Sequence, residues 1–273
     1  MKIFRETIVA GKTILQRYYG SSRIKTEKGK KRAPKSNPTS EAVRKVNLRN
    51  AVRNLTAILN HNFSSCDYSI TLTYDAVPRR MEAKKNLQNF MRKMKYYCQK
   101  NELQWKWIAV TEYENHRIHH HVVCSGIDPK VIADKWSYGF VKFSAMEESG
   151  NYSKLAEYLI KETEKTFRRD DSVNKKRYTG SKNIVIPEAK REAVSERMLE
   201  HDPEPYKGYY IYEGKVDRYE HAILGIECME FIQVSLDEEP RLKKWKRGKK
   251  TKGERHYKES WSQQIGLEEW LYE

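Results

Sequence analysis

The segment from Gln104 to Ser125, QWKWIAVTEYENHRIHHHVVCS, constrains the fold most. It reads as two strands, Gln104 to Glu114 and Arg117 to Ser125, separated only by Asn115 and His116. If those two residues form a tight hairpin turn, Glu114 faces Arg117, Tyr113 faces Ile118 and Glu112 faces His119. Directly opposed residues have β-carbons about 4.5–5.5 Å apart and share a face. His121, two residues past His119, emerges on that same face, and His120 on the other. Two imidazoles and one carboxylate then occupy one patch of sheet, a donor set that suits a divalent metal with open coordination positions. Consecutive histidines can also be exposed bystanders. A longer loop would shift the pairing and bring Glu114 into the place of Glu112, so both acids stay open as the third ligand.

The surrounding pattern predicts an α+β domain, with helices packed on an antiparallel sheet. Residues 2–9 and 13–19 alternate on either side of Gly11-Lys12 and read as a strand hairpin. A helix begins near Thr39-Ser40 with Leu48, Ala51, Val52, Leu55, Ile58 and Leu59 on one stripe. Tyr68 to Tyr74 alternates with period two and reads as a half-buried strand. An amphipathic helix follows over about Arg79 to Lys100, and beyond the central hairpin come a helix at Pro129 to Trp136, a strand at Gly139 to Phe143 and a helix around Ser153 to Lys165. Tyr206 to Tyr212 and Tyr219 to Leu236 contain further strands. The expected organisation is residues 1–66 as an N-terminal part of the central domain, 67–190 as its core, 191–240 as a β-rich extension and 241–273 as a basic tail.

Charge points to the partner. The formal net charge is +16, and two short runs account for nearly all of it. Arg23 to Lys35 holds seven basic residues against Glu27, and Arg241 to Lys258 holds ten against Glu254. Lys and Arg at this density suit a polyanion whose counterions are released on binding. Trp245, Tyr257 and Trp261 interleave the second run and could stack on bases. The plainer alternative is that both runs are solvated and solubilising. No apolar run of 18 residues is present, so no membrane-spanning helix is expected. Four widely spaced cysteines and the lack of an apolar leader make a cytoplasmic protein the expectation.

In SKLAEYLIKETEK, Leu155 and Leu159 face the core, while Tyr158 sits on an adjacent stripe with Lys154, Lys161 and Lys165. Cations beside a phenol favour its phenolate and attract phosphate, which suits a tyrosine that attacks phosphodiesters. An ordinary amphipathic helix with a boundary tyrosine is the competing account, in a chain with 18 tyrosines.

The ordered set ITLTY (70–74), IHHHVV (118–123) and EYLIK (157–161), with WSYGFVKF and KRYTGSKN between and after, resembles the HUH endonucleases. More specifically it resembles the rolling-circle replication initiators of plasmids, phages and integrative elements, over roughly residues 1–190. The resemblance implies an HUH/RRM-like nuclease domain that nicks and rejoins single-stranded or origin DNA. Tyr158 would be the nucleophile, Lys161 its catalytic neighbour, and Glu112, His119 and His121 the ligands of Mg²⁺ or Mn²⁺. A second tyrosine four residues away is absent, since Lys154 and Glu162 stand there, which implies a single nucleophile. No G-x-x-x-x-G-K-[ST] run exists, so a host helicase would unwind the DNA and a host polymerase would extend the nick. A relaxase or single-tyrosine transposase would share the chemistry. A two-His-one-carboxylate iron oxygenase would leave the charge and Tyr158 unexplained, and a non-catalytic DNA-binding protein would need no nucleophile.

Overall fold

The computed structural model describes residues 2–21, 40–113, 117–164 and 176–237. Both basic runs, Glu114, the Asn115-His116 turn and Lys165 lie outside them. The architecture is α+β, as expected, but it is built on two five-stranded antiparallel sheets in two compact units.

The first unit spans residues 1–61 and 186–240. Strands β1 (Lys2–Ala10) and β2 (Thr13–Ser21) form the expected hairpin, with Ala10 opposite Thr13. Gly11 is required in the turn: its φ is +56°, and a Cβ there would sit 2.1 Å from the Asn60 carbonyl oxygen. Helix α1 (Glu41–Asn62) buries Leu55, Ile58 and Leu59 from the predicted stripe, while Leu48, Ala51 and Val52 remain only half-buried. Ala57 of α1 packs with Ile8, Ala10 and Leu15 of the hairpin.

The pattern above groups the hairpin with the central domain, whereas strand pairing groups it with the C-terminal strands. β1 pairs with β8 (Ala189–Val194), and β2 pairs with β10 (Glu227–Ser235), which carries β9 (Tyr209–Glu220) on its far side. Strands β8, β9 and β10 are therefore part of the hairpin's own sheet.

A buried ion cluster ties this unit together. Glu6, 3 % exposed, lies opposite Arg17 on one neighbouring strand and Arg191 on the other. Its carboxylate is 3.0 Å from Arg17, 2.9 Å from Arg191 and 3.3 Å from the buried Arg53 of α1. Burial alone would push the Glu6 carboxyl up, but the guanidinium groups of Arg17, Arg53 and Arg191 outweigh it and hold it at about 2. Because this value is depressed, the carboxylate's contribution to stability is present above the unfolded value and is lost as pH falls towards 2. Glu6→Gln, which removes the buried carboxylate charge that three guanidinium groups share, is expected to cost about 3–5 kcal/mol in urea-unfolding measurements at pH 7.

The second unit contains β3 (Tyr68–Leu72), α2 (Arg80–Lys100), β4 (Trp107–Glu112), β5 (His119–Cys124), α3 (Pro129–Lys135), β6 (Val141–Ala145), α4 (Ser153–Glu164) and β7 (Thr179–Gly180). The sheet order is β6-β3-β5-β4-β7. Ile70, Leu72, Ala109 and Val122 line one face, where they pack with Phe90 and Met94 of α2 and with Ile132 of α3. The opposite face carries α4 over its β4 side, and α4 buries Ala156, Leu159, Ile160 and Thr163. Leu155, expected in the core, is only half-buried. The KRYTGSKN stretch contains β7, where Gly180 pairs with Ile108 and a Cβ would stand 3.2 Å from the Trp107 carbonyl oxygen. Among the described residues, no helix is long and apolar enough to cross a membrane.

Candidate active site

The register of β4 against β5 places the donors. Glu112 pairs with His119, Thr111 with His120 and Val110 with His121. On the other side of β5, Thr71 of β3 pairs with His121. Strand alternation therefore puts Glu112, His119, His121 and Thr71 on the face that carries α4, and His120 on the face covered by α2 and α3.

His121 is 8 % exposed and is the centre of the polar contacts. Its Nδ1 lies 3.3 Å from Thr71 Oγ1, and its Nε2 lies 3.6 Å from Glu112 Oε2 and 3.4 Å from the Tyr158 hydroxyl. The Tyr158 ring meets the imidazole edge-on, at 5.2 Å between centroids. Burial holds the His121 pKa below its ordinary value, and His119 adds to this, although Glu162 acts in the opposite sense. The imidazole is thus neutral near pH 7, the form that binds a metal.

The set fits a divalent cation by its chemistry. Thr71 contacts one ring nitrogen and orients the imidazole, and the other nitrogen points towards a carboxylate. Among the described residues, no three His, Cys, Asp or Glu side chains are already gathered as a metal cluster. Glu112 and His121 meet, and His119 joins them through shared face and register.

Tyr158 stands beside this pair, 45 % exposed. Its electrostatic surroundings differ from the lysine stripe expected above. Burial, then Glu162 and Glu112, raise its pKa above the ordinary value. Glu162 is four residues along the same helix, and Glu112 comes from β4. Lys161 is engaged with Glu157 at 2.8 Å, an exposed pair one helical turn apart. These surroundings therefore favour Tyr158 as a neutral phenol.

His120 and its partners escape a pattern-based reading. Fully buried, it lies 2.8 Å through Nε2 from the Tyr74 hydroxyl and 2.9 Å through Nδ1 from Thr111 Oγ1. These bonds join β5 both to β4 and to the segment after β3, directly behind the two outward histidines. Burial, with help from His121 and His119, pushes the His120 pKa down to about 3. Alternation puts His120 on the inner face but does not name its partners, Thr111 on β4 and Tyr74 just past the end of β3. The WSYGFVKF stretch supports the same region: Trp136 Nε1 donates to the Thr73 carbonyl at 2.8 Å, and the Trp136 ring packs edge-on against His120 and Tyr74.

Basic surface is also present on the described part of this unit. Helix α2 has seven basic residues against Glu82, with Lys85, Arg92 and Lys95 exposed. The near-neutral sum outside the two basic runs thus conceals a local positive face.

Comparison with known proteins bears on this unit alone. The family model for replication-associated protein ORF2 and its relatives matches residues 67–167. The matched segment runs from β3 through α4 and includes Glu112, His119, His121 and Tyr158, over little more than a third of the chain. It supports a replication initiator and, with that, DNA as a partner. No curated protein and no solved structure matches the chain.

Substituting His120 by Leu removes both buried hydrogen bonds, while the Tyr74 hydroxyl keeps the Ala83 carbonyl as a partner, so neutral-pH stability should fall by about 1–3 kcal/mol. Since the folded His120 value lies below the unfolded one, the unfolded state takes up the proton first as pH drops. Part of the parent's stability is therefore lost between about pH 6.5 and 3, and that part should be missing from the variant in thermal melts followed against pH.

Proposed function

We propose that the chain initiates replication by nicking and rejoining single-stranded origin DNA through Tyr158. The observation that carries this is the convergence of the Tyr158 hydroxyl, His121 Nε2 and Glu112 Oε2 within a segment similar to replication-associated proteins.

Attack by the Tyr158 oxygen on the scissile phosphorus forms a tyrosyl 5′-phosphate bond and breaks the bond to the 3′-oxygen. The phenol proton passes to solvent, to which the ring is half open, and the departing 3′-oxygen takes up a proton to become a free hydroxyl. Attack by that hydroxyl on the phosphotyrosine reverses the step, so strand transfer needs no nucleotide hydrolysis. His121, fixed by Thr71, and Glu112 hold their donor atoms next to the reacting oxygen, with His119 alongside. These three would hold Mg²⁺ or Mn²⁺, which would polarise the phosphate and offset the acids that keep Tyr158 protonated.

Lys161 would meet the phosphate by exchanging Glu157. Exposed pairs of this kind contribute only about 0–1 kcal/mol, so the exchange is inexpensive. Lys154 and Lys161 supply positive charge to the DNA on the helix that carries Tyr158. The free 3′-hydroxyl would prime a host polymerase, and a host helicase would open the duplex. Relaxase or transposase activity would use the same chemistry on a different DNA, but the replication-associated match favours initiation.

Incubating the protein with Mn²⁺ and single-stranded oligonucleotides tiled across its own coding region and flanks should yield an SDS-stable protein–DNA adduct. Tyr158→Phe should abolish the adduct and leave DNA binding within about twofold, because one hydroxyl contributes little to phosphate-driven affinity. An adduct that persists in Tyr158→Phe would place the nucleophile elsewhere.

A further inference from the structure

Among the described residues, the face of the sheet that holds His121 is covered on one side only. α4 packs over β4, where Ile108 and Val110 are fully buried. Over β3 and β6 no described element covers the same face: Thr71 and Ser69 are half-buried, and their partners Lys142 and Ser144 on β6 are exposed. Continuing that register by one residue brings Phe140 opposite Thr73, whose N–H donates to the Phe140 carbonyl at 3.0 Å. Strand alternation puts Phe140 and Lys142 on the His121 side.

Phe140 is 68 % exposed. Its backbone is pinned despite this. A Cβ on the preceding Gly139 would stand 2.5 Å from the Thr73 carbonyl oxygen and 2.8 Å from the Asp75 nitrogen, and Asp75 N–H donates to the Tyr138 carbonyl. The nearby Tyr138 and Val141 pack into the core of the other face. A large apolar ring is thus held in water on a fixed backbone, two strands from the candidate catalytic histidines. At about 4.8 Å per strand, the β6 backbone lies about 10 Å from that of β5.

We propose that this open half of the sheet seats a single DNA strand, with the Phe140 ring stacked on one base and the Lys142 ammonium against a neighbouring phosphate. The proposal rests on the nicking activity assigned to Tyr158, and it names where the strand lies. An unpaired base offers its π face to an aromatic ring, whereas a duplex keeps those faces stacked internally. Thr71 and Thr73 form the floor between this platform and His121, so a strand crossing it arrives at the Tyr158 hydroxyl without leaving the sheet.

The test is metal-free fluorescence anisotropy of the full chain, with labelled oligo-dT of about 20 nucleotides and a duplex of equal length as probes. Phe140→Ala should weaken single-strand binding by roughly tenfold and leave duplex binding unchanged. Phe140→Trp should retain affinity, and the added indole emission should be quenched by the single strand but not by the duplex, a response that a merely structural residue would not give. Lys142→Ala should lower the slope of log affinity against log salt by about 0.7, as expected for one lost phosphate contact on a single strand. Unchanged oligo-dT affinity in Phe140→Ala, or no oligo-dT binding by the parent, overturns the proposed seat. Adduct formation at Tyr158 is read separately, so loss of the nicking activity with a persistent Phe140 effect would leave a single-strand-binding face without catalysis.

Discussion

Three consecutive histidines on one strand are compelled by the pleat to serve two opposite faces, and the rest of the second unit is arranged around that division. His119 and His121 emerge beside Glu112, on the face that carries α4. His120 is driven into the core, where an unsatisfied imidazole would be costly, and it is satisfied by Tyr74 and Thr111. A one-residue slip of β5 would exchange these environments, burying two histidines and exposing one. The buried hydrogen bonds of His120 therefore select the register that presents the other two. Stability and site geometry have a common source here.

Under the proposed function, the electrostatics of Tyr158 call for a cation. Burial and the carboxylates of Glu162 and Glu112 favour the neutral phenol. Lys161, three residues further along its helix, is engaged with Glu157. A nucleophile held back by acids is a poor one alone, but those acids are also what would attract a divalent ion to the spot next to the hydroxyl. Activation would thus be tied to metal occupancy rather than built permanently into the helix.

Much of the second unit was legible because its determinants are local. Period-two alternation located β3, and of the two pairings that the sequence left open the structure shows the one with Glu112 opposite His119, although Glu114, Asn115 and His116 themselves lie outside the described residues. The lysine stripe around Tyr158 was an incomplete account: it left out the charge of Glu162, four residues along the same helix, and helical spacing is silent about Glu112, which arrives from a strand. The pairing of β1 with β8 and of β2 with β10 was hidden for a related reason: alternation shows that a strand exists, not which distant strand it joins. β8, AKREAV, also has little of the β-branched and aromatic content that announces a strand. Nothing in the helical pattern of α1 singles out Arg53 as a buried charge, because its partner, Glu6, is supplied from β1.

Direct titration of the protein with Mn²⁺, followed by electron paramagnetic resonance of the free ion, tests the central claim most directly. The parent chain should bind manganese at a site that is lost in His121→Ala, although the buried core behind it, including His120, remains folded by circular dichroism. Undiminished free-ion resonance in the presence of the parent, or equal binding by the folded variant, would contradict a metal-assisted nucleophile at Tyr158.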